Sequence, residues 1–394
     1  MSASSVLDLL TLGYRLLWGR QRQPVALELF IAAGAGHTGV DARHLVSTLT
    51  ELWPARAPRL LLALRSRALL HDMLVHGTAD GAWIVVPQEA LADPELRLRT
   101  QQARQRGLPL VWRGGAGELP DPELGTLFQC GMYQLDEAQA LQLLHGSGPK
   151  LAGQVLQVPA SHVLADRALD QQAAWAVAGW PLAATASHFP SQGPARDSIT
   201  RLLQAIDRDA SLDRIEELLG ADPVLAWRFL SHVNAPALKL RSSIESLRHG
   251  LMVLGLGNVQ IWLQSQLAQA SDAADLRPVR EQLVLRARLF EHLLDAGEED
   301  ELRREVYLCG LLSQIDLLLG EPLARALEPL PLSERVREAL LAHSGPYHPT
   351  LELARALESP DLRAIHQLCD GYGLAPGDVN RALLRTLAGL GTPA

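Results

Sequence analysis

Lysines are very few in this chain, and its arginines are scattered over helical faces without a concentrated patch. With 36 basic side chains against 44 acidic ones, the formal net charge is -8. Such a surface exerts no general attraction on phosphate backbones. The basic, aromatic-interleaved groove that single-stranded nucleic acid requires is also missing, so Trp227 and Trp262 are expected in the core and no nucleic-acid partner is expected. Cysteine is scarce too. Cys130, Cys309 and Cys369 lie far apart, form neither a metal-ligand spacing nor a disulfide framework, and read as buried reduced thiols. No window reaches the roughly eighteen consecutive apolar residues of a membrane span. The opening MSASSVLDLLTLGYRLLWGR carries Asp8 and no preceding positive region, unlike a signal peptide. A cytoplasmic location is therefore expected. Gly34, Gly36 and Gly39 have GxGxxG spacing but read as a loose loop rather than a phosphate cradle, and no P-loop occurs between a strand and a helix.

What the chain does have is length and apolar content. Its 394 residues, 47% hydrophobic and 20% charged, suit a globular protein of two domains. From Pro24 to about Thr185, apolar runs alternate with helical segments. The strand candidates are Val25 to Ile31, Leu60 to Leu64, Trp83 to Val86, Leu108 to Trp112, Val155 to Val158 and, more weakly, Trp180 to Ala184. Helices are expected at Asp41 to Leu52, Pro94 to Arg106, Asp136 to Leu144 and Ala165 to Ala178. Continuous apolar strands separated by helices imply parallel strands buried on both faces, here a small or eroded α/β barrel. Chemistry in such a barrel sits at the C-terminal strand ends. Only Glu28, Glu89 and Asp136 supply carboxylates there, too few and too dispersed for a hard divalent cation.

The segment LELFIAAGAGHTGVDARHLVSTLTEL resembles the start of the EAL-type cyclic-di-GMP phosphodiesterase barrel. The resemblance puts Glu28 on the motif's metal-binding Glu and Ala32 on its Arg. The family's Asn on the second strand falls on Leu64, its third-strand Glu on Val86 or Pro87, and its paired aspartates on Arg113 and Gly114. Its Lys-x-Asp falls on Gln134 and Asp136, where only the Asp survives. Its later Glu-Lys falls near Val158 and Pro159, and its terminal Gln-Gly near Ala184 and Thr185. The resemblance thus implies a barrel that has lost the groups to ligate metal or activate water, with Glu28 and Asp136 as vestiges.

His188 to Asp197, HFPSQGPARD, marks a boundary rich in Pro, Gly and Ser. It suggests an α/β barrel domain over 1–190 and an all-helical domain over 191–394. In the second half, Asp222-Pro223 starts a helix, Asn234 and Pro236 end it, and Leu302 to Leu319 reads as one long, largely apolar and therefore central helix. DPVLAWRFLSHVNAPALKL followed by SSIESLRHGLMVLGLGNVQIW resembles the HDOD domain, a non-hydrolytic relative of the HD phosphohydrolase fold. Barrel followed by HDOD is the order of the YuxH-type EAL–HDOD signalling proteins. Where catalytic relatives show a His-Asp doublet, this chain has Ser313 and Gln314, and its histidines form no i, i+4 pair.

The function expected is therefore a non-enzymatic signalling or scaffold protein that docks signalling proteins through its HDOD domain, without a cofactor. Arg228, Asn234, Lys239, Arg241 and Arg248 are the candidate interaction surface. The alternative is a cyclic-di-GMP receptor or residual phosphodiesterase, and the missing Arg and aspartates argue against nucleotide binding. Fold analogy alone suggests pairing into a homodimer.

Overall fold

The computed structural model describes the chain except for residues 1–5, 35–39, 80, 119–121, 190–192, 239–242, 295–298 and 392–394. Eight strands close into a barrel in sequence order: β1 (Leu10–Trp18), β2 (Pro24–Ala33), β3 (Arg59–Leu64), β4 (Trp83–Pro87), β5 (Leu110–Gly115), β6 (Cys130–Gln134), β7 (Val155–Gln157) and β8 (Ala176–Ala178). From β2 to β8 the neighbours run parallel, whereas β1 is antiparallel to both β2 and β8. The fold is TIM-like with one reversed strand.

The expected barrel is present, and its strand inventory differs from the expectation in four places. β1 replaces a featureless apolar run. It is covered on both faces, so its sequence shows no alternation. β6 is complete, although Cys130–Gln134 has poor strand character in sequence. The expected helix Ala165 to Ala178 is instead a short helix His162–Asp166, a π-turn Arg167–Gln171 and strand β8. Ala173 at φ 53° stops the helical path. Trp180 to Ala184 is not a strand, since the helix Leu182–His188 begins within it.

Between β1 and β2, Arg22 is buried, and its guanidinium donates to Asp166 Oδ1 and Asp170 Oδ2, both at 2.7 Å. This pairing clamps the β1–β2 turn to the segment before β8. The hydrogen bond from Arg22 holds the Asp170 carboxyl below its usual range. A carboxylate with a lowered folded pKa contributes stability above its unfolded pKa of about 3.9, and that contribution is lost as pH falls through the folded value. Arg22→Ala is expected to cost about 1–3 kcal/mol, because both partners are partly solvated. In urea titrations the deficit should be full at neutral pH and shrink below about pH 4.

The chain divides into two compact units, Met1–Pro181 with Arg355–Pro393, and Leu182–Ala354. Against the expected 1–190 and 191–394, the helical unit begins at Leu182 and the C-terminal segment returns to the barrel. The Tyr14 N–H donates to the Leu357 carbonyl at 2.8 Å, alongside β1. Asn380 Nδ2 donates to the carbonyls of Leu7 and Leu10, each at 2.8 Å, from the helix Pro376–Ala388. Gly13 makes room for this return, because a Cβ there would lie 2.6 Å from the Ser359 carbonyl oxygen. Amphipathic spacing in these helices shows that a face is buried, not which partner buries it.

The helical unit is all α among its described residues. Its helices include Arg196–Asp207, Leu212–Gly220, Pro223–Val233, Leu247–Leu254, Leu256–Gln266, Arg277–Leu294 and Asp300–Leu312. Gly310 allows the last two to approach closely, since an added Cβ would stand 2.7 Å from Ala287 Cα. The expected continuous helix Leu302 to Leu319 breaks after Leu312 and resumes only as the short Asp316–Leu319. No described helix is long and apolar enough to cross a membrane.

Candidate functional site

Strand register decides what the barrel interior contains. Arg15 on β1 lies opposite Glu28 on β2, and Glu28 is completely buried. Side chains two residues apart share a strand face, so Phe30 and, across the parallel pairs, Ala63, Pro87 and Arg113 line the same interior. The contacts agree with this register. Arg113 Nη2 forms a close ion pair with Glu28 Oε1, and Arg15 Nη1 lies 3.7 Å from Glu28 Oε2. The guanidiniums of Arg15 and Arg65 both lie against the Phe30 ring, at 5.2 and 5.1 Å from its centroid.

Burial and the neighbouring Arg65 push the Arg15 guanidinium down to about 10. Burial and Arg15 do the same to Arg113, also to about 10. Both remain charged at neutral pH, but each sits where a further cation is unfavourable. The EAL resemblance implies a divalent cation at Glu28. These residues do not fit one, because the carboxylate is already held by guanidiniums and a second cation would meet their charge. Among the described residues, no group of three or more His, Cys, Asp or Glu side chains could hold a metal ion.

The other vestigial position in the barrel has a structural role. Asp136 is the N-cap of the helix Glu137–Leu144 and forms a capping box with Gln139: Asp136 Oδ1 accepts from Gln139 N at 2.7 Å, and Gln139 Oε1 accepts from Asp136 N at 3.1 Å. Leu64 pairs with Ile31 and shares its outward side, so the inward rim position after β3 belongs to Arg65, one residue later. Arg15 is the residue that motif matching missed. A lone base in LTLGYRLLW and a lone acid in ALELF, each inside an apolar run, were the available signal.

In the helical unit, Ser313 is buried and occupies the turn after Asp300–Leu312. Gln314 Oε1 accepts a 2.6 Å hydrogen bond from Nη1 of Arg286, which is itself buried. Where a His-Asp doublet would present metal ligands, this chain has a hydroxyl and an amide tied to a guanidinium.

The described members of the expected interaction surface are each engaged in contacts of their own. Arg228 donates to Gln266 Oε1 at 3.1 Å and Gln269 Oε1 at 2.7 Å. Arg248 pairs with Asp213 and lies 3.5 Å from Glu216 on another helix. Lys239 and Arg241 lie outside the described residues. Asn234 is committed internally: its Nδ2 donates to the Leu230 and Ile244 carbonyls at 2.8 and 2.9 Å, while its Oδ1 accepts from Ile244 N at 2.8 Å. Its amide closes the loop after Pro223–Val233. Asn234→Ala is expected to lower stability in urea by about 1–3 kcal/mol through these unmade bonds. Trp227 donates its indole N–H to the Ala326 carbonyl at 2.7 Å, and Trp262 packs on Phe229 and His232. Trp262 belongs to the core, as expected from the sequence, whereas Trp227 is only half-buried.

The HDOD domain family matches residues 194–330, within this helical unit. The chain carries an HDOD domain. It is similar to the cyclic di-GMP phosphodiesterase CdgJ of Vibrio cholerae, 26% identical over 171 residues that cover 43% of this chain and 40% of CdgJ. It is also similar to the uncharacterized protein YuxH of Bacillus subtilis, 28% identical over 167 residues that cover 41% of this chain and 40% of YuxH. The matches therefore span about two fifths of each curated relative. These similarities link the HDOD-bearing chain to the EAL–HDOD signalling proteins. Among solved structures, the MmoQ response regulator of Methylococcus capsulatus aligns with 50% of this chain and 98% of its own, at 20% identity and a TM-score of 0.40.

Proposed function

We propose that this chain is a non-enzymatic signal-transduction or scaffold protein of the cytoplasm. Its HDOD domain docks other signalling proteins, and its EAL-like barrel is catalytically inactive. The observation that supports this reading is the fate of Glu28: the carboxylate at the motif's metal-binding position is buried against Arg113 and Arg15. Without converging carboxylates among the described residues, no group there positions a metal-activated water on a phosphodiester. The Arg286–Gln314 bond supports the same reading for the helical unit. Hydrolysis of cyclic-di-GMP is the competing reading, suggested by the name of CdgJ, and the charge of the barrel interior weighs against it.

Affinity capture with the full chain as bait tests the docking role. The proposal expects a signalling protein retained equally by wild type and by Glu28→Gln, since docking does not pass through the barrel carboxylate. Failure to retain any protein specifically, from lysate of the native host, would count against it.

A further inference from the structure

A barrel mouth that repels cations has the opposite affinity to offer. A cavity of about 430 Å³ opens at the C-terminal ends of β3, β4 and β5. Arg65, Ser66, Arg67 and Arg113 supply its donors, and Leu70 and Leu96 are among its apolar walls. Arg15 and Arg113 share the buried carboxylate of Glu28, and Arg65 adds a third guanidinium against Phe30, close enough to act on Arg15. Arg67 is neutralised by its ion pair with Asp93, and Glu89 stands exposed on the rim, so the inner excess stays positive.

The arginines are also unsaturated as donors. Arg113 Nε is buried with no hydrogen-bond acceptor. Arg65, exposed at the mouth, has no carboxylate partner among the described residues, only the face of Phe30. Guanidinium groups with free N–H donors, converging on a cavity too electropositive for a metal, match the geometry and charge of a tetrahedral oxyanion.

We propose that this mouth is a metal-independent phosphate site, with Arg65 and Arg113 contacting the anion and Arg15 reinforcing the field from behind. The ligand class is a phosphate dianion, either free or as the monoester of a small molecule whose organic part occupies the apolar side of the cavity. The lowered pKa values of Arg15 and Arg113, set first by burial and then by a neighbouring guanidinium, accord with this assignment, since a bound dianion would offset both. The inference stands beside the non-enzymatic reading without depending on it, because binding without turnover and turnover itself are measured separately.

The test is calorimetric titration of the full chain, in EDTA and at low ionic strength, with inorganic phosphate and in parallel with phenyl phosphate. Saturable binding is expected, weakened at least about tenfold by Arg65→Ala, an exposed position whose change leaves the fold intact. Glu28→Gln should tighten the same binding severalfold by removing the competing carboxylate. Tighter binding of phenyl phosphate identifies a monoester as the source, and equal binding identifies the free ion. No saturable binding of either probe, binding indifferent to Arg65→Ala, or binding that requires Mg²⁺ or Mn²⁺ would overturn the proposal.

Discussion

Arg113→Met, made alone, is expected to destabilise the barrel by about 3–4 kcal/mol, because it strips the closest counter-charge from a fully buried carboxylate. Arg15 remains at 3.7 Å, too distant to satisfy Glu28 by itself. The double variant Glu28→Gln with Arg113→Met should recover most of the loss, since what costs energy is the unpaired charge rather than the missing pair. Urea denaturation of the full chain reads both values. A double variant as unstable as Arg113→Met would show that packing of the Arg113 stem, not charge pairing, governs the interior. The result also bears on function, because a carboxylate that contributes to stability through a guanidinium is not available as a metal ligand.

The second large effect is expected in the HDOD domain, at Asp222. This side chain is fully buried and caps the helix Pro223–Val233, its Oδ1 accepting from Val224 N and Leu225 N, both at 3.0 Å. Oδ2 accepts from Ala195 N at 2.8 Å and lies 3.9 Å from Arg280 Nε. Arg280 is buried as well, donates to the Gly193 carbonyl at 3.0 Å, and has its pKa lowered by burial. Asp222→Ala removes a helix cap, worth about 0.5–2 kcal/mol, and leaves a buried guanidinium without its carboxylate. The combined loss should reach about 3–5 kcal/mol. Asp222→Asn keeps the cap acceptor but not the charge, so it should fall between wild type and alanine. If asparagine matched wild type, the Arg280 contribution would be absent.

How far the sequence could be read follows from these particulars. The Asp222-Pro223 helix start and the helix beginning at Asp136 are local signals, and local signals survive into the structure. The TIM-like barrel and the helical HDOD domain were likewise legible. β1 was not, because Leu10–Trp18 is covered on both faces and carries a charge inside an apolar run. β8, only three small residues long, has no strand signature of its own. The return of Pro376–Ala388 to the start of the chain depends on Asn380 reaching Leu7 and Leu10, a pairing too distant in sequence to infer. At the candidate site, motif matching drew attention to Glu28 and Asp136. The pairing of Arg15, Arg113 and Glu28 required the strand register. Asn234, which reads as the residue that ends its helix and as part of an interaction surface, brackets its own loop through its side-chain amide.

The central claim is that the barrel does not hydrolyse a phosphodiester, and one assay tests it most directly. Purified full-length chain is incubated with cyclic-di-GMP and either Mg²⁺ or Mn²⁺, and the products are separated beside those of Glu28→Gln. No hydrolysed product from either protein is predicted. Product formed by wild type with either metal, and lost in Glu28→Gln, would contradict the claim.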